Sequence, residues 1–204
     1  MNKLAKIFIL IGSFLITLSI SLILYNNLTE IKAGKNSKVA LDIINENLEN
    51  NNETNENNIN QINNQQNQSK EMKTTYINGY DYIGTITIPS LNLELPIMSE
   101  YDYDRLKISP CRYYGSIHTN DLIICAHSYK THFKYLNKLK QKDLIIITDI
   151  DGNNYIYEVL EIEILNPEQV SEMINNDFDL TLYTCTSDGQ NRITVRCNKI
   201  DNIN

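Results

Sequence analysis

The sequence predicts a mostly β protein, a closed β-barrel with a few short helices, preceded by an N-terminal transmembrane helix. Ile7–Tyr25 is an uncharged run of 19 residues, which as a helix spans roughly 28 Å, about the hydrocarbon thickness of a bilayer. Residues 75–204 contain many short strand patterns separated by turn signals, which favours a barrel over a βαβ sheet. An Asn- and Gln-rich tract separates the two regions.

The apolar run is better explained as a retained membrane anchor than as a cleaved signal peptide. It is longer than a signal-peptide core, and no small-x-small cleavage pattern such as Ala-x-Ala follows it. Lysines lie on both sides of the run, so the positive-inside rule does not set its orientation. A short head, residues 1–6, is easier to leave in the cytoplasm than a long domain. We therefore expect residues 7–25 to cross the cell membrane once, with the rest of the chain extracellular.

Residues 26–74 predict a solvated stalk between the anchor and the β domain. Asn45–Ser69 is dominated by Asn, Gln and Glu and has no aromatic residue, so it cannot bury enough apolar surface to offset its ordering entropy. One short helix is expected just before this tract, at about Lys38–Leu48. Residues 75–204 remain as the folded domain, and about 130 residues are enough for one core.

Seven segments of the folded domain have strand character. Most alternate apolar and polar residues, whereas the third is continuously apolar, as expected for a strand that is buried on both faces. The segments are Ile83–Ile88, Leu91–Ile97, Leu122–Ala126, Leu144–Thr148, Tyr155–Leu165, Leu180–Thr184 and Ile193–Ile200. Asp151-Gly152 predicts a hairpin turn. Short helices are expected at Phe133–Leu139 and at Pro167–Ile174, where Pro167 suits a first helical turn.

The charge distribution excludes some classes of partner. Residues 1–74 carry seven basic and seven acidic residues, and residues 75–204 carry 11 basic against 18 acidic ones, so the net charge of −7 lies in the folded domain. An acidic domain without a basic stripe argues against nucleic acid as a partner. It also argues against adhesion of the domain itself to anionic lipid, which leaves the N-terminal anchor as the contact with the membrane.

No metal or other cofactor is predicted. Asp149-x-Asp151-Gly152 resembles half of a calcium loop, but the later glutamate is missing and a strand follows almost at once, so a hairpin turn is favoured. The four cysteines have no C-x-x-C spacing for zinc. An even number of cysteines outside the cell would allow two disulfides, although Cys125 and Cys197 lie in apolar runs that are typical of buried thiols.

Three residues stand at the ends of predicted strands and together suggest covalent thiol chemistry. Cys185 ends one strand just before the turn Thr186–Gly189, and Arg192 opens the next strand, so the two face each other across one hairpin mouth. His127 ends a buried strand 58 residues before Cys185. A thiol activated by a nearby base, with a guanidinium to bind a developing oxyanion, is the set of groups that acyl transfer needs.

Similar residues nearby are expected to have other roles. His118 lies in a polar loop and His132 begins a helix-like segment, where either can be solvated and idle. Arg196 shares the face of Arg192 by strand parity, but a surface or barrel-end charge is the simpler interpretation.

Thr-Leu-x-Thr-Cys, followed by an Arg-hydrophobic-x-Val strand and preceded by a histidine that ends a buried strand, resembles the sortases. These are membrane-anchored cysteine transpeptidases of Gram-positive bacteria. The resemblance runs from about Ile83 to Ile200, and the anchor and stalk fit it. One departure is Ala126, because the residue before the histidine is usually glycine in this family. The extra methyl group should be tolerated.

The resemblance implies an eight-stranded barrel with a groove across one face. Cys185 would attack a Leu-Pro-x-Thr-Gly-like sorting signal of a surface protein, and His127 would protonate the leaving amine. Arg192 would stabilise the tetrahedral intermediate or position the peptide. Thr184 would help to shape the oxyanion site. The acceptor would be an amine of a cell-wall precursor or a pilin lysine.

The segment of about Asn166–Asp179 is too short for the helical insertion of class B sortases, which favours the shorter classes. Its residues Pro167, Glu168 and Met173 are expected to line the substrate groove. Two other functions stay open. The first is an anchored cysteine protease that resolves the thioester with water, and the second is a non-catalytic β-barrel surface module with a residual site.

Overall fold

The computed structural model describes residues 3–55 and 71–200, and its first element is one long helix. Helix α1 (Lys3–Asn55) contains the whole apolar run. By length and composition it can cross a membrane, and the residues of its apolar stretch are exposed rather than packed inside the protein. This element is therefore a candidate membrane anchor.

The folded domain is a closed eight-stranded barrel of mixed sheet, as the sequence predicted. The described residues form nine strands, which are β1 (Thr75–Ile77), β2 (Tyr80–Ile88), β3 (Leu93–Met98), β4 (Cys111–Tyr114), β5 (Leu122–Cys125), β6 (Leu144–Asp149), β7 (Asn154–Leu165), β8 (Leu180–Cys185) and β9 (Arg192–Lys199). They pair in the order β1-β2-β3-β4-β5-β8-β9-β7-β6, and β6 pairs with β2 to close the barrel. The short β1 adds a hairpin strand outside the ring. The pairs β3–β4 and β5–β8 are parallel, and the other pairs are antiparallel.

The barrel interior is filled by the alternate apolar residues of its strands. In β5 and β8 these are Leu122 and Ile124, and Leu180 and Leu182, all of which belong to the main core. Because successive side chains of a strand point to opposite faces, the intervening residues of both strands lie on the outer face. The parity of β8 therefore places Cys185 outside the barrel.

Barrel closure depends on a glycine. Gly84 pairs with Ile97 of β3 and with Asp149 of β6, and its φ of +143° is one that other residues rarely adopt. A Cβ atom at this position would lie 2.0 Å from the carbonyl oxygen of Thr148. The two strands can approach this closely only because Gly84 has no side chain.

Helix α1 extends far beyond the predicted anchor and packs on the barrel. The sequence predicted a solvated stalk at 26–74 with one short helix at about Lys38–Leu48. Instead, residues 26–55 continue α1, whereas 56–70 lie outside the described residues. One helical stripe is buried against the outer face of the domain and consists of Ala33, Ser37, Ala40 and Ile44. Contact with the barrel supplies the apolar burial that the segment lacks by itself, and so its ordering entropy is offset.

The predicted short helices are only partly formed. Residues 131–135 form turns, followed by a 3-10 turn at Leu136–Lys138, and the second helix is α3 (Val170–Ile174). A further short helix, α2 (Tyr103–Leu106), begins at Asp102, whose carboxylate accepts hydrogen bonds from two backbone N–H groups. The predicted hairpin turn at Asp151-Gly152 is confirmed, since it joins β6 to β7.

Candidate active site

The register of three neighbouring strands brings Cys185, His127 and Arg192 together. Cys185 and Arg192 are directly opposite each other in the β8–β9 pair, as predicted from their spacing. Strand β5 lies on the other side of β8, with Cys125 opposite Tyr183. The Ala126 N–H donates to the Tyr183 carbonyl oxygen at 3.2 Å, so the parallel register continues past the strand end. His127 therefore follows Ala126 to the position beside Cys185, on the same outer face.

The imidazole of His127 is held between two tyrosine rings. The Tyr103 ring meets it edge-on at 5.8 Å, and the Tyr129 ring lies against it at 4.8 Å with an interplanar angle of 31°. Burial, and secondarily the nearby Lys107 ammonium, lowers the pKa of His127 below its ordinary value. Nε2 is buried and has no hydrogen-bond partner among the described residues. Burial therefore favours the neutral form of the His127 imidazole, and one of its ring nitrogens is uncommitted.

Arg192 is half-buried and lies opposite Cys185, at the edge of a cleft whose lining includes Arg192 but neither Cys185 nor His127. Its Nη1 donates to the carbonyl oxygens of Asn191 at 3.1 Å and of Gly189 at 3.4 Å, which fixes the guanidinium against the β8–β9 loop. A guanidinium has five N–H donors, so others remain for a ligand in the cleft. The N–H of Thr186, which follows Cys185, already donates to the Asn191 carbonyl at 2.9 Å. Arg192 is therefore the better placed donor for an oxyanion.

Thr184 has a different environment from the one expected at an oxyanion site. Its side chain is 1% exposed and lies on the core side of β8. The hydroxyl donates to the carbonyl oxygen of Ala126 at 2.8 Å. Because this side chain has no access to the cleft, Thr184 can only act by positioning, and it ties the strand of Cys185 to the residue before His127.

The cleft has a volume of ≈ 210 Å³ and is partly lined by the β7–β8 loop. Of the three loop residues expected there, Pro167 and Met173 line it, whereas Glu168 is exposed and does not. Tyrosine rings and Arg192 supply much of the remaining wall, which comprises Tyr101, Tyr113, Tyr183, Asn166, Gln169 and Val170. The tyrosines at 101 and 113 were not found from the sequence, because neither lies in a recognisable motif.

Arg196 is a buried clamp on the β7–β8 loop, so its interpretation as a surface charge was wrong. The side chain is 2% exposed and forms an ion pair with Glu163 at 2.7 Å. Its guanidinium also donates to the carbonyl oxygens of Glu172 at 2.8 Å and Met173 at 3.4 Å, and to the Thr181 hydroxyl at 3.0 Å. Through Arg196, strand β9 thus holds the β7–β8 loop, and this loop forms one side of the cleft.

The remaining histidines and cysteines are placed away from the cleft or shielded from solvent. His118 is exposed, but His132 is 1% exposed, and burial lowers its pKa to about 4, so it is not solvated as expected. All four cysteines are free. Burial raises the pKa of Cys111 to about 12 and also raises the pKa values of Cys125 and Cys197. Cys185 is the one cysteine with substantial solvent access.

Known proteins resemble the chain in sequence and in fold. The sequence profile described as "Sortase domain" matches residues 86–200. No curated protein sequence matches the chain. Among solved structures, sortase C from Clostridium perfringens SM101 is 25% identical with a TM-score of 0.52, and the match covers 79% of this chain and 89% of that one.

Sortase C of Streptococcus pneumoniae, described with respect to catalysis and pilin substrate specificity, is 26% identical with a TM-score of 0.54, over 59% of this chain and 70% of that one. Sortase C1 of the group B Streptococcus pilus island 1 shares the fold at 24% identity and a TM-score of 0.53. That match covers 60% of this chain and 66% of that one, just under two thirds of its length. The matched profile covers more than half of the sequence, and the chain therefore belongs to the sortase family.

Proposed function

We propose that this chain is a cysteine transpeptidase that cleaves a Leu-Pro-x-Thr-Gly-like sorting signal and transfers the acyl group to an amine. The observation that supports the proposal is the register of β5, β8 and β9: Cys185 is opposite Arg192, His127 follows the strand that pairs with β8, and Arg192 lines the neighbouring cleft. Membership of the sortase family supports the same chemistry. The solved neighbours are sortase C enzymes, and one is described by its pilin specificity, so a pilin lysine is included among the acceptors alongside cell-wall precursors.

The first half of the reaction forms a thioester. The thiol proton of Cys185 passes to His127, and Sγ attacks the carbonyl carbon of the scissile Thr–Gly bond. Arg192 donates hydrogen bonds to the resulting oxyanion. The imidazolium returns its proton to the glycine nitrogen, the C–N bond breaks, and the amine leaves. Because burial disfavours charged His127, this imidazolium gives up its proton readily.

The second half of the reaction consumes the thioester. Neutral His127 takes a proton from the incoming amine, whose nitrogen attacks the thioester carbonyl. The C–S bond then breaks, and the departing Cys185 thiolate takes the proton back from the imidazolium, which restores both groups. Water in place of the amine gives a free acid, which is the protease alternative. Tyr101 and Tyr113 line the cleft and offer aromatic surface to an acceptor, so we expect a bound acceptor to compete with water.

The position of the enzyme follows from its anchor. In our proposal, residues 7–25 of α1 cross the cell membrane once, residues 1–6 remain in the cytoplasm, and the barrel lies outside. Proteins that carry a sorting signal, and the amines that act as acceptors, then meet the enzyme at the extracellular face of the cell membrane. Protease treatment of intact cells should cleave the barrel domain, and complete protection of the barrel would reverse the proposed orientation.

The reaction is tested with the full chain in nanodiscs and a fluorogenic Leu-Pro-x-Thr-Gly peptide, with and without a lysine-containing acceptor peptide. We expect a covalent acyl-enzyme on Cys185 by mass spectrometry and an amide product that requires the acceptor. Cys185→Ala should abolish both, and Arg192→Lys should slow acylation by about 10²–10³-fold, the usual effect of losing an oxyanion donor. A free acid in every reaction would establish the protease instead. Unchanged biological function in the Cys185→Ala chain would establish a non-catalytic module.

A further inference from the structure

Residues 127–134, which we call the histidine segment, contact helix α1 directly. The backbone N–H of Lys130, three residues after His127, donates to the carboxylate of Glu30 in α1. The next residue, Thr131, lies so close to Gly34 of α1 that a Cβ atom on the glycine would be 2.8 Å from its Cγ2. Glu30 and Gly34 are one helical turn apart and share a face of α1. This face therefore contacts two consecutive residues of the histidine segment.

These contacts reach His127 through a short and internally bonded turn. The N–H groups of His132 and Lys134 donate to the Tyr129 carbonyl at 3.0 and 3.2 Å, and the Phe133 N–H donates to the His127 carbonyl at 3.2 Å. The turn also places the Tyr129 ring against the imidazole. Because its ends are hydrogen-bonded to one another, displacement at Lys130 moves Tyr129 and with it one wall of the imidazole site.

The docked helix is itself held firmly. On the C-terminal side of Gly34, Ser37 is buried and its hydroxyl is 3.3 Å from that of Ser109. Ala40 and Ile44 pack into a cluster with the outer face of the barrel. On the N-terminal side of Gly34, α1 continues without interruption into the apolar run. Glu30 lies five residues beyond Tyr25, which is roughly 8 Å along a helix. The contact with the histidine segment is therefore the part of the docked surface nearest the membrane.

We propose that Glu30 and Gly34 are positioning residues for His127, so that the membrane-anchor helix is part of the catalytic unit rather than a passive tether. The inference rests on the proposed function for its kinetic readout. Displacement of the histidine segment by a few tenths of an ångström changes the distance over which the proton moves, and small misplacements of reacting groups cost large factors in rate. The cleft in which we expect the sorting signal to bind is lined by neither Glu30 nor Gly34, so the effect should be on kcat.

Gly34→Ala is the most direct test, because the added Cβ meets a stiff β-branched side chain. We expect kcat to fall by about threefold to tenfold with KM unchanged. Alanine favours the helix over glycine, so Tm should not fall, which separates misplacement from loss of fold. Thr131→Ser removes Cγ2, the atom closest to the added Cβ, and should restore activity to the Gly34→Ala chain. If the two substitutions acted independently, the second would not reverse the effect of the first.

Glu30 provides a second, independent variant. Glu30→Ala removes the acceptor for the Lys130 N–H and should lower kcat about fivefold, the equivalent of one hydrogen bond. Glu30→Gln keeps a side-chain carbonyl and should recover most of the rate. Asn45→Ala is the matched control on the same helix, since it removes a side-chain hydrogen bond from Asn45 to Glu94, at 3.3 Å, rather than one to the segment of His127. This variant should behave like the wild type.

A readout without peptide separates this inference from the proposed function. The pH dependence of Cys185 alkylation and the NMR titration of the His127 ring both report the environment of the imidazole, whether or not a sorting signal is the substrate. We expect both to shift in the Gly34→Ala and Glu30→Ala chains and not in the Asn45→Ala chain. If the two profiles and kcat match the wild type in both variants, the inference is overturned. If the wild type does not turn over the peptide but the profiles shift, positioning stands and the proposed function fails.

Discussion

Replacement of Arg196 by methionine should destabilise the barrel and loosen the substrate cleft. The guanidinium is 2% exposed and forms four hydrogen bonds, one of them to the Glu163 carboxylate. Methionine fills a similar volume without any donor. The variant therefore leaves four acceptors without their partner, and two of them are carbonyl groups of the β7–β8 loop.

The structure allows an estimate of the cost. Breaking a buried ion pair by removal of one partner costs about 3–5 kcal/mol. The Glu163 side chain is 37% exposed and can recover some hydration, so we expect the lower end, about 3 kcal/mol. For a domain of this size, that corresponds to a decrease in Tm of about 10 °C. Without the clamp, Met173 moves away from the cleft, and KM for the sorting peptide should rise several-fold with a smaller change in kcat.

Thermal unfolding and peptide kinetics of the full chain measure both effects. Glu163→Gln is the matched control, because it removes the charge of the partner but keeps an acceptor for the guanidinium, and it should cost less than half as much. An Arg196→Met chain with an unchanged Tm would refute the view that this arginine is a structural clamp. An unchanged KM together with a lowered Tm would refute only the coupling from the clamp to the cleft.

Three further outcomes follow from burial and backbone geometry. Iodoacetamide at pH 8 should label Cys185 long before the three buried cysteines, whose thiols burial keeps protonated; equal labelling by mass spectrometry would contradict this burial. Because the pKa of His132 is lowered to about 4, the unfolded chain binds the extra proton between pH 6.5 and 4, so stability falls by about 3 kcal/mol on acidification through this window. Denaturation across this range should show a weaker pH dependence for His132→Phe, and an identical slope would rule out His132 as its source. Gly84→Ala should cost about 3 kcal/mol or more through its clash with the β6 backbone. Gly189→Ala, at a φ of +74° in open space, should cost only about 1 kcal/mol in the same unfolding assay.

The strands were predictable wherever a local pattern decided them. Alternation identified β2 and β7, and the continuous apolar run identified β5, because burial on one or both faces leaves a period in the sequence. Strand β4 (Cys111–Tyr114) was missed, since it is four residues long and joins β3 and β5 through only a few pairs. Helix α2 was missed because its single turn depends on the Asp102 cap rather than on an apolar period.

The stalk shows how tertiary contact overrides local composition. Judged alone, residues 26–55 are too polar to order themselves, and the prediction of a solvated segment followed from that. The small residues 33, 37 and 40 and the apolar residue 44 recur at helical spacing, and the barrel offers them a matching surface. Small residues at helical spacing also occur by chance in a polar segment. Without knowledge of the surface that covers them, the sequence alone did not identify this stripe as buried.

By itself, the sequence determined a long apolar run near its N-terminus, a β domain, and the close pairing of Cys185 with Arg192 across one short hairpin. These features depend on residues that are neighbours along the chain. The tertiary structure decided that His127 follows the strand that lies parallel to the strand of Cys185, through the β5–β8 register, and that Thr184 faces the core. It also decided that Arg196 clamps the cleft and that α1 contacts the histidine segment. Each of these requires segments far apart in sequence to meet, and their packing follows from closure of the barrel.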